Sequence, residues 1–154
     1  MDAEVYPDSD IAAFITQHFI PVRVHAKNDA DAFQKLGSRF DAQWTPTTLI
    51  VDPPETERHR IEGFLPKDDF RSQLELGLAK AAFGRGDFAD AAQRFEDVLK
   101  RFPDTDAAPE AQYWAGVSRY KGDGDPSALG ETAARFKERY ADTTWAKKAS
   151  VWDR

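Results

Sequence analysis

Trp44-Thr45-Pro46-Thr47-Thr48-Leu49-Ile50-Val51-Asp52, followed by Arg60-Ile61-Glu62-Gly63-Phe64, is the stretch that decides the fold. Thr47 to Val51 is a continuous run of β-branched and aliphatic residues, the pattern of a short strand buried on both faces. Asp52-Pro53-Pro54-Glu55 reads as a turn. Arg58 to Phe64 reads as the hairpin partner, closed by Gly63.

Upstream of this hairpin, helix and strand signals alternate. Pro7-Asp8-Ser9-Asp10 is a helix-start cluster, and Ile11, Phe14, Ile15 and Phe19 recur at helical spacing. Ile20 to His25 reads as a strand, with Ile20, Val22 and Val24 alternating against Arg23 and His25. Asn28 to Asp31 caps a second helix that puts Phe33, Leu36 and Phe40 on one face. Pro66 and Asp68-Asp69 then open a long helix with Phe70, Leu74 and Leu78 spaced four apart.

From Phe70 onward the pattern is wholly helical. Gly84 to Asp87 and Gly122 to Pro126 are breakers, with Phe102-Pro103-Asp104 between them. Phe102-Pro103-Asp104-Thr105 returns thirty-eight residues later as Tyr140-Ala141-Asp142-Thr143. Helices Ala107 to Tyr120 and Trp145 to Trp152 start at equivalent places, so stacked helical hairpins are expected. Leu78-Ala79, Ala82, Gly86-Asp87-Phe88, Ala91, Phe95 and Pro103 fit the spacing of a tetratricopeptide repeat. Small Ala79 and Ala91 let two helices approach, Phe88 and Phe95 fill the space between them, and Pro103 stops the second helix. A second, degenerate unit has Tyr113-Trp114-Ala115-Gly116 and Tyr120, a longer loop, then Phe136 and Tyr140, with Ala141 in place of the stop proline. Its Tyr-Trp-x-Gly resembles repeats of bacterial envelope and scaffold proteins. One and a half to two units imply either a peptide-binding groove or a helical cap on the first half.

The run from Met1 to Leu74 resembles a thioredoxin-like domain, because element order and spacing agree. In that family an X-Pro pair with a cis peptide precedes the fourth strand, and its backbone pairs with an extended substrate peptide. Thr45-Pro46 stands at that place, and Gly63 matches the family glycine on the next strand. The resemblance implies a substrate-facing wall of Trp44, Thr45, Pro46 and Gly63. Yet the chain has no cysteine. Only a thiolate attacks a disulfide, so this polypeptide carries no redox catalyst and the expected catalytic set is empty.

Met1-Asp2-Ala3-Glu4-Val5-Tyr6-Pro7-Asp8 is similar to the segment just after the Cys-x-x-Cys-Lys of domains related to the soluble part of bacterial transmembrane disulfide reductases. This implies a chain that begins inside a longer parent, or one that has lost the motif. In the family, the strand leading into the cysteines lies between those corresponding to Ile20–His25 and Thr48–Val51. Without it, the chain is expected to pair these strands directly, leave a groove, or engage another chain. Restoring the strand is expected to raise the melting temperature.

Composition excludes further classes. The net charge is −6 over 154 residues, with no basic run, against a nucleic-acid surface. The longest apolar runs are far too short to cross a membrane, and the acidic start has no signal-peptide character. His18, His25 and His59 lack ligand spacing, so no metal or cofactor is expected. Gly122-Asp123-Gly124-Asp125 is a turn, too short for a calcium loop of about twelve residues. No serine sits in a nucleophile elbow. Asp52 and Glu62 are either a carboxylate pair near Pro46 or a turn-initiating Asp and a solvated strand residue, the simpler assignment. Arg58, His59 and Arg60 form a basic spot, most simply an edge-strand gatekeeper.

The expected architecture is an α/β, partial thioredoxin-like domain over 1–68, followed by an all-α tetratricopeptide-like domain over 69–154. The expected parent is a thiol-disulfide oxidoreductase. The alternative is a redox-inactive interaction module. The expected partners are a protein or peptide client, with no nucleic acid and no membrane, and oligomerisation through unpaired strand edges. The expected compartment is the cytoplasm.

Overall fold

The computed structural model describes Met1 and Ala3–Asp153. The chain divides into two compact units, Met1–Phe70 and Arg71–Arg154.

The first unit opens with helix α1 (Ser9–His18). Asp8 caps it, its carboxylate accepting from the N–H groups of Asp10 (3.0 Å) and Ile11 (3.2 Å), which satisfies donors that the first turn cannot pair. Ile11 and Phe14 are buried, as the helical spacing required. Helix α2 (Ala30–Phe40) buries no residue fully; Phe33, Leu36 and Phe40 are half-buried. Its cap differs from expectation. Asp29 turns back to accept from the His25 N–H at 3.0 Å, and its side chain bonds no N–H of the helix. Asp41 ends α2 in the left-handed region (φ 49).

Strands β1 (Thr47–Asp52) and β2 (Thr56–Glu62) form an antiparallel hairpin, the one sheet among the described residues. Thr47 lies opposite Glu62, Thr48 opposite Ile61, Leu49 opposite Arg60 and Ile50 opposite His59, with an irregularity between Ile50 and Val51. Side chains alternate across the pleat, so Thr48, Ile50, His59 and Ile61 share a face, and the last three are buried.

Two expectations fail here. Ile20–His25 is not a strand: it lies in no sheet, and Ile20 and Val22 are 94% and 81% exposed. A strand needs a ladder, and no described segment supplies one for these residues; Pro21 also lacks an N–H to donate. β1 is not buried on both faces either. It has one neighbour, β2, and only Ile50 of its residues is buried. A strand flanked on one side keeps the exposed edge that a central strand loses.

The second unit takes α3 (Lys67–Gly84) from Arg71 onward, then α4 (Phe88–Arg101), α5 (Ala107–Asp123), α6 (Ser127–Glu138) and α7 (Thr144–Ala149), closed by a 3-10 turn at Ser150–Trp152. Every expected breaker separates two helices. Leu76, Ala79, Ala82, Ala91, Phe95, Val98, Ala107, Ala111 and Ala115 form its core. The alanines at the crossings let backbones approach, and Phe95, fully buried, fills the space they leave. Phe88 is half-buried and sits edge-on to Phe83, with ring centroids 5.3 Å apart. α5 also packs on α6 and α7.

The internal repeat reappears in the hydrogen bonds. Thr105 Oγ1 donates to the Phe102 carbonyl (2.9 Å) as Thr143 Oγ1 donates to the Tyr140 carbonyl (2.7 Å). The two loops are also joined. The Tyr140 hydroxyl donates to the Pro103 carbonyl (2.6 Å), and Arg139 to Asp104 (2.7 Å). Burial pushes the Tyr140 hydroxyl above its ordinary pKa, against the pull of Arg139.

Candidate functional site

The candidate wall lies where the hairpin opens. The Gly63 N–H donates to the Pro46 carbonyl at 2.8 Å, extending the β1–β2 register by one pair. The Thr45–Pro46 peptide bond is cis, and Gly63 has φ +85, a conformation that side chains other than hydrogen rarely adopt. Thr47 Oγ1 donates to the Trp44 carbonyl at 2.7 Å, pinning the approach to the strand. Trp44 is 69% exposed, and Thr45 is exposed. All four expected wall residues therefore belong to one end of the hairpin: Pro46 and Gly63 bonded to each other, Thr45 and Trp44 on the chain leading in.

Phe64 was missed. It comes directly after Gly63 and is 52% exposed, a large aromatic at the same end as Trp44. Its place beside the glycine was visible in the sequence, but exposure depends on what covers a residue.

The register also assigns the backbone edges. In an antiparallel pair, directly opposed residues alternate between exchanging hydrogen bonds and pointing their main-chain groups outward. Pro46 and Gly63 are a bonded pair, so Thr48 with Ile61 and Ile50 with His59 are bonded too. Thr47 and Leu49 therefore turn their N–H and C=O away from β2, along the outer edge of β1.

The other candidates separate. Asp52 stands opposite Thr56 and Glu62 opposite Thr47, at the two ends of β1, about 17 Å apart at ~3.4 Å per residue. They form no carboxylate pair. Asp52 accepts from Arg58 at 2.9 Å. The basic spot lies on β2, an edge strand, and its cations are paired. His59 is buried. Arg60 bonds Glu57 (2.7 Å) and Glu62 (3.3 Å) and donates to the carbonyls of Phe40 and Asp41 at the end of α2. A cation there meets the negative end of the helix dipole. The Glu57–Arg60 hydrogen bond lowers the Glu57 pKa and raises that of Arg60. Arg60 thus ties β2 to the end of α2, while Arg58 and Asp52 pair across the hairpin.

The three histidines do not converge. His18 packs on Phe14 at 4.4 Å between centroids. His25 Nδ1 accepts from the N–H groups of Lys27 and Asn28. Among the described residues no group of His, Cys, Asp and Glu could hold a metal, and no helix is long and apolar enough to cross a membrane.

A family model described as a thioredoxin-like domain matches residues 1–77, and one described as a tetratricopeptide repeat matches 73–105. The curated proteins and the solved structures yield no match. The matched half is the unit that carries the Trp44–Gly63 wall, and the matched repeat covers the Ala79–Phe95 packing. The chain belongs to the thioredoxin-like family, with a tetratricopeptide repeat joined to its thioredoxin-like domain.

Proposed function

We propose that this chain is a redox-inactive interaction module that binds an extended peptide against Trp44, Thr45, Pro46 and Gly63. The observation that carries it is the pairing of a cysteine-free chain with an exposed aromatic on each side of the Pro46–Gly63 pair, Trp44 and Phe64. Solvated aromatics beside a backbone end offer what a strand-like ligand needs: apolar area for a side chain and main-chain groups for register. The helical unit would hold the client or a partner protein. Oligomerisation through unpaired strand edges belongs to the same reading. The domain boundary at 68/69 and the cytoplasm as compartment go with it.

Fluorescence anisotropy tests this, with reduced, carboxymethylated insulin B chain as the extended probe. Trp44→Ala with Phe64→Ala is expected to weaken binding at least about tenfold, in the range of exposed aromatic anchors, with an unchanged circular dichroism spectrum. Equal binding by parent and variant, or none by either, would refute the reading.

The resemblance supports a second reading, a thiol-disulfide oxidoreductase as the parent polypeptide. Insulin reduction separates the two. An upstream-extended product carrying Cys-x-x-Cys that reduces insulin while this chain does not would favour it; inactivity of a folded extended product would leave the interaction module.

A further inference from the structure

A furrow runs along α5 in the helical unit. Glu110, Tyr113, Val117, Tyr120 and Lys121 follow one another at steps of three and four residues, so they share one face of the helix. The opposite faces carry the buried Ala111, Ala115 and Gly116. α3 borders the furrow through the Lys80–Glu110 ion pair at 2.9 Å. α7 and the 3-10 turn after it border the other side through Tyr113, whose ring lies 5.2 Å from that of Trp145 and stacks on Trp152 at 4.7 Å. Between these borders Val117 is half-buried and Tyr120 is exposed.

A cation stands toward each end. Lys121 lies 5.7 Å over the Phe88 ring, and Lys148 lies 3.8 Å over the Trp145 ring. Both are exposed, and neither is ion-paired to a described acid. The acids of the bordering elements are already neutralised, Glu110 by Lys80 at 2.9 Å and Asp153 by Lys137 at 2.5 Å. Asp123 falls on the Gly116–Arg119 face of α5, away from the furrow. Residues 71–154 carry fourteen acids and fourteen bases, so the unit as a whole does not repel an acidic ligand. We propose that this furrow binds an extended acidic segment of a partner protein, with two acids four positions apart and an apolar residue midway. The inference rests on the reading above that the helical unit holds a client or partner, and it names the surface and the chemistry. The spacing follows from length. Tyr113 to Lys121 spans about 12 Å along the helix axis, which an extended chain covers in about four residues. Residues two apart in such a chain share a face, so the outer acids meet Lys148 and Lys121 while the middle side chain rests on Val117 between Tyr113 and Tyr120.

Fluorescence anisotropy with a fluorescein-labelled peptide containing Glu-Ser-Leu-Ser-Glu tests this on the full chain. The parent is expected to bind it at least about tenfold more tightly than Lys-Ser-Leu-Ser-Lys or Glu-Ser-Ser-Ser-Glu, and less tightly as salt rises. Lys121→Glu with Lys148→Glu, both at solvated positions, is expected to weaken binding at least about tenfold. Its circular dichroism spectrum and its binding of carboxymethylated insulin B chain at the Trp44–Gly63 wall should be unchanged. Failure of the parent to bind the acidic peptide, or equal binding of the basic one, overturns the inference and leaves the wall reading to its own B-chain result. Acidic-peptide binding that survives Lys121→Glu with Lys148→Glu but is lost in Trp44→Ala with Phe64→Ala also overturns it, by placing the ligand at the wall.

Discussion

Gly116→Ala tests how closely the helices of the second unit must approach. Gly116 lies inside α5, where glycine costs about 1 kcal/mol relative to alanine, so propensity alone favours the substitution. Packing opposes it. A Cβ there would stand 2.0 Å from Thr132 Oγ1, 2.8 Å from its Cβ and 3.0 Å from its Cγ2. Thr132 on α6 is 1% exposed, and its hydroxyl donates to the Ala128 carbonyl at 2.7 Å. Rotation about χ1 can move the hydroxyl but not the Cβ, so α5 and α6 must separate. Forced overpacking of this kind costs about 1–3 kcal/mol or more. The backbone-like contact and the loss of the Thr132 bond put it at the upper end, leaving a net loss of about 2 kcal/mol after the propensity gain. In a chain of this size that lowers Tm by roughly 4–8 °C. Urea unfolding followed by tryptophan fluorescence reads it, because Trp114, Trp145 and Trp152 all lie in this unit. Thr132→Ala removes the 2.0 and 3.0 Å contacts but keeps the Cβ, so the double variant should recover about 1 kcal/mol. Gly122→Ala is the control in the same helix: its Cβ would meet Phe88 at an ordinary 3.6 Å, and it should be neutral or stabilising. A Gly116→Ala chain within about 0.5 kcal/mol of the parent would refute the argument that this crossing requires glycine.

Phe95→Ala, at a fully buried position in the repeat core, should cost about 3–5 kcal/mol by calorimetry; a cost below about 1 kcal/mol would mean the core re-closes. Tyr140→Phe removes the hydroxyl bond to Pro103 that joins the two repeat loops and should cost about 0.5–1.5 kcal/mol in urea. Asp8→Ala removes both the α1 cap and the Lys67 ion pair. The Lys67 hydrogen bond, helped by the Ile11 and Asp10 N–H groups, holds the Asp8 carboxyl below its ordinary 3.8. A depressed folded pKa stabilises above the unfolded value and loses that stability as pH falls through the folded one. The parent's Tm advantage over Asp8→Ala should therefore be full near neutrality and shrink below about pH 3.8; an advantage that persists at pH 2 would show a role other than charge.

Helices were legible where local rules suffice. The Asp8 cap, the Gly84–Asp87 and Gly122–Pro126 breaks and the Ala79–Phe95 spacing act within a few residues, so their sequence pattern determines the outcome. The β1–β2 hairpin was legible for the same reason, since a turn carries its own register. Ile20–His25 was misread because alternation describes a strand's side chains and says nothing of its ladder. The Arg58–Arg60 spot was legible as charge on an edge strand, but its partners Asp52, Glu57, Glu62 and the end of α2 were not, because ion pairing depends on what folding brings near.

The sequence by itself determined that this chain holds a thioredoxin-like half, a helical-repeat half and no thiol to do redox work, because residue identity and short-range spacing decide those points. Only the tertiary structure decided that Pro46 bonds Gly63, that Phe64 stands exposed at the same end as Trp44, and that β1 keeps an open edge while Ile20–His25 joins no described strand. Pairing and burial are properties of surfaces brought together from distant positions, and no local pattern encodes which surfaces remain uncovered.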